Sequence, residues 1–446
     1  MEHLFARAVD FSPDGNTIAL ADKSSPEGPS HIDLVTVATG ARRQFTTPAG
    51  KTAGDTSPVF SPDGRTLAFK RSSGSGSDDL YLAEIAGGKL RQLIAWNGHV
   101  RALDWTPNGK EIVFSAAREG VTGLWRMRAA GGTPQRIVGA GSGALFFSIA
   151  RHRHRLAYSY WFADTNIWRM SAKDGGQAGT PEKLIASTRA ETSAQYSPDG
   201  SMIAFRSDES GATEIWITDS FGNNVRQLTA FRGPLTGSPR WSPDSRNLAF
   251  DSRPDGKSNI YVIASAGGQP RRVTAGPADN VVPSWSQDGK WIYFASTASG
   301  AWQVWKVTAD GSGKTVQLSH TGGFAAFESP DGSYVYYAKG SSSPGLWRVP
   351  SSGGMEELVL PDLKPGYWGC WGVAEDGIYF VDPVANGKFE VRLFDPVTRK
   401  TATAAALPGE PPFGDSGFSV SRDGRWFLFT QTDQSGSDIV LVNNFR

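Results

Sequence analysis

One short pattern recurs along the whole chain and restricts its possible folds more than any other feature. In the stretch FSPDGRTLAF, at positions 60–69, a turn-forming Ser-Pro-Asp-Gly precedes an alternating run that ends in an aromatic residue. Pro fixes its own φ near about −65°, the Asp side chain bonds nearby backbone donors, and Gly takes a φ that other residues avoid. The pattern therefore predicts a tight hairpin between two strands.

Copies of this turn follow one another at steps of 43–49 residues. The Asp before Gly, or the residue that replaces it, marks the copies at Asp14, Asp63, Asn108, His152, Asp199, Asp244, Asp288, Asp331, Asp376 and Asp423. The copy at His152 keeps a strand but has lost the Asp-Gly pair. A period this steady over the whole length is typical of a repeat array rather than of two or three unrelated domains.

Each repeat contains further strand-like segments. A run such as IWIT at 215–218 or IYVI at 260–263 follows the turn, and most repeats then show a Gly-rich turn and a short apolar strand. One four-stranded sheet of this size cannot bury its faces alone, so the sheets must pack on one another. The sequence therefore predicts an all-β fold, a β-propeller of ten four-stranded blades of about 45 residues each.

Strand counting leaves two ways to divide the ten blades into rings. The last repeat ends after its third strand, at 438–445, so an earlier segment must supply a fourth. If residues 134–138 supply it, residues 133–446 form a seven-bladed ring and residues 1–132 form three blades of a truncated ring. If residues 2–5 supply it, all ten blades form one ring. Because propellers commonly have about 4 to 8 blades, we prefer the division into seven plus three.

Composition argues against several classes of function. Lys and Arg number 45 against 44 for Asp and Glu, so we expect no direct binding of nucleic acid. The single cysteine, Cys370, excludes an internal disulfide. No apolar run approaches the roughly 18 residues that cross a bilayer, and the first residues lack the regions of a signal peptide. We expect a soluble monomer and leave its compartment open.

The repeat resembles a known family. The phrases SPDG and LAF, followed by IYVI and a Gly-Gly turn, are similar to the TolB-like, WD-repeat-like β-propeller repeat of bacteria over essentially the whole chain. Segments such as DTNIWRM at 164–170 and QSGSDIVLVNNFR at 434–446 resemble a subgroup that forms the C-terminal part of winged-helix transcriptional regulators or of membrane-tethered serine/threonine kinases. This resemblance implies a role in signal transduction or transcriptional regulation. The sequence itself contains neither a winged helix nor kinase motifs.

Motifs for catalysis or cofactor binding fail on inspection. DGSGKT at 310–315 lacks the first glycine of a phosphate-binding loop and has the register of a hairpin turn. HRH at 152–154 lies in the degraded turn and lacks a third metal ligand nearby. The G-x-S-x-G of serine hydrolases does not occur. We therefore predict no cofactor, no metal and no enzymatic activity, with a hydrolase or lyase at the channel mouth as the alternative.

Loops that depart from the repeat pattern are the remaining candidates for function. Four of them join the outer strand of one blade to the inner strand of the next, and in a propeller such loops gather on one face. They mix charge with aromatic residues that turn geometry does not require, which suits a protein or peptide partner. The predicted partner-binding residues are Arg232, Asp279, Phe324, Tyr367, Trp368 and Trp371. The alternative is that Phe324 and Trp368 only cap the ring.

Three polar residues occupy a second position of interest. Gln195, Arg240 and Ser284 stand directly before the aromatic residue that precedes the turn, so we predict that they line the channel. The overall prediction is a non-catalytic interaction or sensor module that binds a protein or peptide partner.

Overall fold

The structure is a computed structural model, and its described residues form strands and turns. One short 3₁₀ element, Ala385–Gly387, interrupts them. Contacts divide the chain into two compact units: unit 1 comprises Met1–Phe162 and Gly436–Arg446, and unit 2 comprises Ala163–Ser435. The structure describes residues 9–25, 28–48, 54–74, 77–87, 90–118, 121–140, 143–150, 154–172, 178–232, 235–254, 256–340, 343–411 and 415–445.

The first twelve strands belong to unit 1 and form two sheets. An eight-stranded sheet joins two antiparallel four-stranded meanders through a single parallel pairing of Ser30 with Gly54, and a four-stranded sheet follows it. The strands of the first sheet are β1 (Val9–Phe11), β2 (Thr17–Lys23), β3 (Ser30–Thr36), β4 (Arg42–Gln44), β5 (Gly54–Phe60), β6 (Thr66–Gly74), β7 (Ser77–Glu84) and β8 (Leu90–Gly98). Those of the second are β9 (Val100–Trp105), β10 (Glu111–Arg118), β11 (Val121–Arg128) and β12 (Gln135–Arg136).

The next strands carry the chain from unit 1 into unit 2. They are β13 (Ala144–Ala150), β14 (Arg155–Ser171) and β15 (Glu182–Ile185). β14 has 17 residues and contains no Gly or Pro, so nothing in its sequence forms the turn that other repeats have at this point. It pairs with β13 in its first part and with β15 in its last part, and it enters unit 2 after Phe162.

Unit 2 contains five antiparallel sheets of four consecutive strands each, as the repeat predicts. The strands are β16 (Glu191–Tyr196), β17 (Met202–Ser207), β18 (Glu214–Asp219), β19 (Arg226–Gln227); β20 (Thr236–Trp241), β21 (Asn247–Ser252), β22 (Asn259–Ala264), β23 (Arg271–Arg272); β24 (Asn280–Trp285), β25 (Trp291–Ser296), β26 (Gln303–Thr308), β27 (Val316–Gln317); β28 (Phe324–Glu328), β29 (Tyr334–Ala338), β30 (Leu346–Pro350), β31 (Glu357–Leu360); β32 (Trp371–Ala374), β33 (Gly377–Val384), β34 (Lys388–Asp395) and β35 (Lys400–Leu407).

A sixth sheet of unit 2 is assembled from two distant parts of the sequence. Its first two strands are β36 (Phe418–Val420) and the first part of β37 (Trp426–Asn443), and its last two are the second part of β14 and β15. Asp433 on β37 accepts a hydrogen bond from the Asn166 side chain at 2.7 Å and from the Trp168 indole at 3.1 Å. Lys183 Nζ lies 2.6 Å from the same carboxylate. β37 returns to unit 1 after Ser435.

This strand pairing differs from the predicted completion of the last repeat by residues 134–138. Residues 134–138 do not complete it, because β12 pairs with Trp125 and Arg126 of the preceding strand β11. A short connection makes that local pairing the less costly one in loop entropy. The boundary predicted between residues 132 and 133 falls inside one sheet of unit 1, whereas the compact units divide after Phe162 and after Ser435. Residues 2–5 and the His152–Arg153 turn lie outside the described residues.

The Ser-Pro-Asp-Gly turns form the predicted hairpins. Ser61 Oγ donates to Asp63 Oδ1 at 2.6 Å, while Arg65 N–H donates to the same oxygen at 3.0 Å and Thr66 N–H donates to Ser61 Oγ at 3.0 Å. Gly64 completes the turn with a φ of 71°. The Ser-to-Asp hydrogen bond recurs at 2.6–2.7 Å from Ser197, Ser242, Ser286, Ser329 and Ser421. The turn therefore depends on two side chains as well as on glycine.

The aromatic residue before the turn links neighbouring sheets. The Trp241 indole donates to the carbonyl of Gln195 at 3.2 Å, and the Trp285 indole donates to the carbonyl of Arg240 at 3.1 Å. In unit 2 the first strand of each sheet contacts the first strand of the next, from β16 through β20, β24, β28 and β32 to β36, and β36 also contacts β16. Neighbouring sheets are thus joined through their first strands both by packing and by hydrogen bonds from the indoles at the ends of these strands.

Candidate functional site

A cavity of about 150 Å³ lies where the first strands of the six sheets of unit 2 end. We call it the inner-strand cavity. Its wall contains the last two residues of β16, β20, β24, β28 and β32 and the last residue of β36. Three prolines of the Ser-Pro turns, Pro198, Pro243 and Pro330, also line it. The repeat thus places the same strand position of successive sheets around a single cavity.

A repeated irregularity in the first strands aims side chains into this space. Ser193, Ser238 and Val282 have φ values of 51–56°, and each stands two residues before a residue that lines the cavity. Strand pairing shifts register across each of these positions. A bulge of this kind leaves residues unpaired and redirects the following side chain. Ala325, with a φ of 50°, repeats the geometry before Phe327.

The structure brings the three predicted channel-lining residues together around the inner-strand cavity. Gln195 is partly exposed, whereas Arg240 and Ser284 are 6% and 3% exposed. The Arg240 guanidinium lies 5.3 Å from the centre of the Phe327 ring and donates to the Pro239 carbonyl at 2.9 Å. Burial lowers the pKa of Arg240 to about 10, which still leaves it protonated at neutral pH.

Other residues of the cavity were not singled out from the sequence. Glu328 is buried, and its carboxylate accepts hydrogen bonds from the Gln287 N–H and from the Tyr293 hydroxyl. It stands where other repeats have an aromatic residue, and that departure was a usable signal. Glu375 and Arg422 line the cavity as an exposed pair 3.4 Å apart, and their positions within the turns gave no comparable signal.

The six predicted partner-binding residues are mostly packed against the protein itself. Tyr367 and Trp371 are 5% and 2% exposed; the Tyr367 hydroxyl donates to Glu410 at 2.9 Å, and the Trp371 indole donates to the Trp368 carbonyl at 2.8 Å. Phe324 is partly exposed and meets Trp368 edge to face, with ring centres 4.6 Å apart. A partner would reach little of these aromatic rings, which instead hold loops in place.

The two charged members of the predicted set also differ from each other. Asp279 is buried and accepts the Ser258 N–H at 3.0 Å, with Lys257 Nζ 3.4 Å away. The Arg232 side chain is exposed, and its backbone N–H donates to the buried Glu214 at 2.7 Å. Of the six, only Arg232 has an exposed side chain, and the others are buried or half-buried.

The arrangement offers little for metal or nucleophile chemistry. Across the residues that the structure describes, no cluster of three or more His, Cys, Asp or Glu could hold a metal ion. Cys370 is fully buried, and burial raises the pKa of its thiol to about 12, so the thiolate is scarce at neutral pH. The described part of the chain contains no helix of the length and apolarity that crossing a membrane requires.

Comparison with known families supports the propeller fold. Residues 7–171 match the TolB β-propeller domain, and residues 212–368 match the Tricorn protease N-terminal β-propeller domain. Both matches are to β-propeller families, and the first lies in the family that the repeat resembles. The comparisons do not show the subgroup of winged-helix regulators or kinases, which remains a prediction.

Individual relatives are more distant and match only in part. Dipeptidyl-peptidase 5 of Porphyromonas gingivalis is 29% identical over 185 residues, which are 39% of this chain and 27% of that protein. The Tol-Pal system protein TolB of Anaeromyxobacter dehalogenans is 29% identical over 166 residues, 37% of this chain and 27% of that protein. The chain thus spans about a quarter of the length of these two relatives. A solved structure of a putative TolB from Agrobacterium tumefaciens is 20% identical, covering 81% of this chain and 100% of that one, with a TM-score of 0.35.

Proposed function

We propose that unit 2 is a non-catalytic binding module that receives part of a protein or peptide partner in the inner-strand cavity. One observation carries the proposal: the first strands of five sheets place their last two residues around one space, and β36 of the sixth sheet adds its last residue, Val420. A site that several rigid elements build in this way is preorganised, which reduces the entropy that binding must overcome.

The proposal includes the arrangement of the sheets. We infer that the six sheets of unit 2 form one closed six-bladed ring, in place of the expected seven blades. Its support is the continuous series of contacts between first strands, in which β36 touches both β32 and β16. In this ring the last blade is built from two distant segments, since β14 and β15 complete the sheet that β36 and β37 begin. Such closure protects the edges of the sheet.

An enzyme remains the second candidate, and one observation favours it. The similarity to a dipeptidyl-peptidase concerns 27% of that protein, and the matching part carries this chain's repeats. A hydrolase would need a nucleophile with a neighbouring base. Cys370 does not meet that need, and Ser284 lies in the cavity without a hydrogen-bonded base among the described residues.

A sensor role like that of the regulator or kinase propellers is part of the same proposal. It rests on the resemblance of DTNIWRM and of the final segment to that subgroup. Binding at the cavity would then be the input that such a protein reports. Identification of a partner that binds at the cavity tests this sensor role.

The test is a selection of peptides from a random displayed library on the full chain. We expect selected peptides to bind the wild type and to lose at least about tenfold in affinity, on the order of 1.4 kcal/mol, to Ser284→Phe, which fills the cavity. Gln195→Trp is a second filling variant at a partly exposed position, in case the first perturbs folding. Arg232→Ala is the matched control on the predicted loop surface.

Each result decides between the candidates. Loss of binding in Arg232→Ala with retention in both filling variants would move the site to the loops. Mass spectrometry of the bound peptides after incubation tests catalysis directly. Cleaved peptides would favour the enzyme, and intact peptides support the binding module.

A further inference from the structure

The most unusual group in the inner-strand cavity is the Arg240 guanidinium. A guanidinium carries five N–H donors, and burying it without acceptors is costly. Arg240 is 6% exposed, its one recorded hydrogen bond goes to the Pro239 carbonyl, and its Nε–H has no partner among the described residues. Most of its capacity to donate is therefore unused.

Nearby carboxylates do not satisfy this cation. Asp251 and Asp415 attract Arg240 through space, but neither lies within ion-pair distance of it in the described part of the chain. Asp415 pairs with Arg206 at 2.5 Å, and Asp251 accepts the Val282 N–H at 3.2 Å. Both acids thus have other partners, and Arg240 is held in the cavity wall by Phe327 and its own strand.

A second unsatisfied polar group lines the same cavity. Ser284, on the adjacent strand β24, is 3% exposed, and its hydroxyl has no hydrogen-bond partner among the described residues. A buried hydroxyl without a partner is also unfavourable. Two neighbouring strands therefore present one cation and one hydroxyl donor to the same cavity.

The size and charge of the cavity restrict what it can accept. The cavity volume of about 150 Å³ lies below the roughly 300 to 1,000 Å³ of ordinary ligand pockets, so the cavity suits one small chemical group. The charged residues of the wall are Arg240 and Arg422 against Glu328 and Glu375, which gives no formal net charge. A doubly charged phosphate would face two carboxylates, whereas a singly charged planar carboxylate matches the fork of a guanidinium.

We propose that Arg240 and Ser284 form a carboxylate-binding site, which takes either the free C-terminal carboxylate or an Asp or Glu side chain of a peptide. This inference rests on the proposed binding function of the cavity and adds its ligand chemistry. The Arg240 guanidinium donates to the carboxylate, and the Ser284 hydroxyl donates to one of its oxygens. The ligand supplies the acceptors that the free protein lacks.

The probes are three tetrapeptides with blocked N-termini, titrated into the full chain. The first is tetra-alanine with a free C-terminus, the second is its C-terminal amide, and the third is the amide with Glu at the third position. The Nε–H resonances of ¹⁵N-arginine report contact with Arg240 directly. We expect the free acid, the Glu amide, or both to shift one arginine resonance and to bind at least about tenfold more tightly than the plain amide.

The variants separate recognition from packing. Arg240→Gln should reduce binding of the acid at least about tenfold, and Ser284→Ala about threefold. Arg240→Met keeps the volume and removes the unpaired charge, so we expect it to abolish binding while the melting temperature of the free protein stays the same or rises. A purely structural arginine would give the opposite result, a lower melting temperature with unchanged binding.

The failure of this inference differs from the failure of the proposed function. Equal binding of the acid and amide peptides would overturn the carboxylate site while leaving a binding cavity. If none of the three peptides bound, and the library selection also gave no ligand that the filling variants exclude, both proposals would be wrong. Acid-selective binding that survives Arg240→Gln would also overturn it.

Discussion

The two units use the same turn but differ in the groove beside it, which we define as the space next to the residue three positions after the turn Asp. Three residues after the turn Asp, unit 2 has Trp291, Tyr334 and Trp426 in three of its sheets, and cations from neighbouring strands lie over these rings. At the same position unit 1 has Thr17, Thr66 and Glu111. A cavity of about 620 Å³ opens beside Thr66 in unit 1.

This difference shows how one repeat pattern can give sheets of different packing. Lys306 Nζ lies 4.6 Å from the Trp291 ring and Arg348 lies 4.2 Å from the Tyr334 ring. Such contacts bury apolar area while the charged ends stay near water. Beside Thr66 the corresponding space is lined by Leu82 and Trp105 but remains open. The turn sets the hairpin, and the residue after it decides how fully the groove is covered.

The largest expected difference between the units concerns the end of β37, which belongs to unit 1 after Ser435. Ending the chain after Ser435 removes the part of β37 that belongs to unit 1, with Val440 and Val442, and also Phe445 just beyond the strand; all three pack against Leu156 and its neighbours. Losing three such side chains costs about 5 kcal/mol. We expect unit 1 to unfold and unit 2 to stay folded, measured as hydrogen exchange resolved by segment.

Point variants provide the control for that truncation. Phe445→Ala should destabilise unit 1 in part, whereas Ile439→Ala, at a residue of β37 that is 76% exposed, should change little. Loss of protection in residues 178–411 upon truncation would show that the assignment of residues 436–446 to unit 1 is wrong.

A smaller effect is expected where unit 2 is completed. Asp433→Ala removes an acceptor of Asn166, Trp168 and Lys183 and leaves the fully buried Asn166 amide with Asp164 as its one remaining acceptor. We expect a loss of about 2–4 kcal/mol in the unfolding of unit 2. Asp433→Asn keeps one acceptor oxygen and should lose less. Chemical denaturation measures both, and equal stability of Asp433→Ala and wild type would contradict this role.

Exchanging the groove residues tests the comparison directly. Trp291→Thr should destabilise unit 2 by about 2 kcal/mol, because it removes a ring and its contact with Lys306. Thr66→Trp should stabilise unit 1 by about 1 kcal/mol by filling the open space. Thermal unfolding of the two single variants measures both changes in stability. If Thr66→Trp destabilises unit 1, the space beside Thr66 is not equivalent to the covered grooves.

The smallest effect is the acid sensitivity of the turns. The Ser286 hydroxyl and the Lys290 N–H hold the pKa of Asp288 below its ordinary value of 3.8. Because the folded pKa is lower than the unfolded one, the stability it adds is present above about pH 4 and is lost as the pH falls through the folded value. Ser286→Ala should cost about 1 kcal/mol at neutral pH and weaken this acid dependence. Denaturation at pH 3 and pH 7 measures both, and an unchanged pH dependence in Ser286→Ala would contradict the cause.

Local features of the fold could be predicted from the sequence, since their causes lie within a few residues. The turn at Asp63 forms through Ser61 and Gly64, and the position before the aromatic residue placed Gln195, Arg240 and Ser284 around one space. The exchange of β14 and β37 could not be predicted in this way. It depends on pairing between residues about 270 positions apart, as for Asn166 and Asp433.

Burial of the loop aromatics escaped prediction for a related reason. An aromatic residue in an irregular loop has the same sequence signature whether it meets a partner or its own chain. The Tyr367 hydroxyl donates to Glu410, and the Trp371 ring meets the Phe327 ring edge to face. Neither contact follows from the spacing of the repeats. The repeat position of Arg240 could be read from the sequence, but the missing acceptor of its Nε–H is a property of the folded surroundings.

The path of β14 and β37 also sets the order in which the protein can be completed during synthesis. The ribosome makes Phe162 long before Gly436, and at about 5 to 20 residues per second the interval is about 15 to 55 s. During that time the nascent N-terminal unit has an unfilled position beside β14 where β37 will pair. An open strand edge is a template for wrong pairing. The unit that is translated first is therefore the one finished last, and the edge of β14 stays open until β37 has been made.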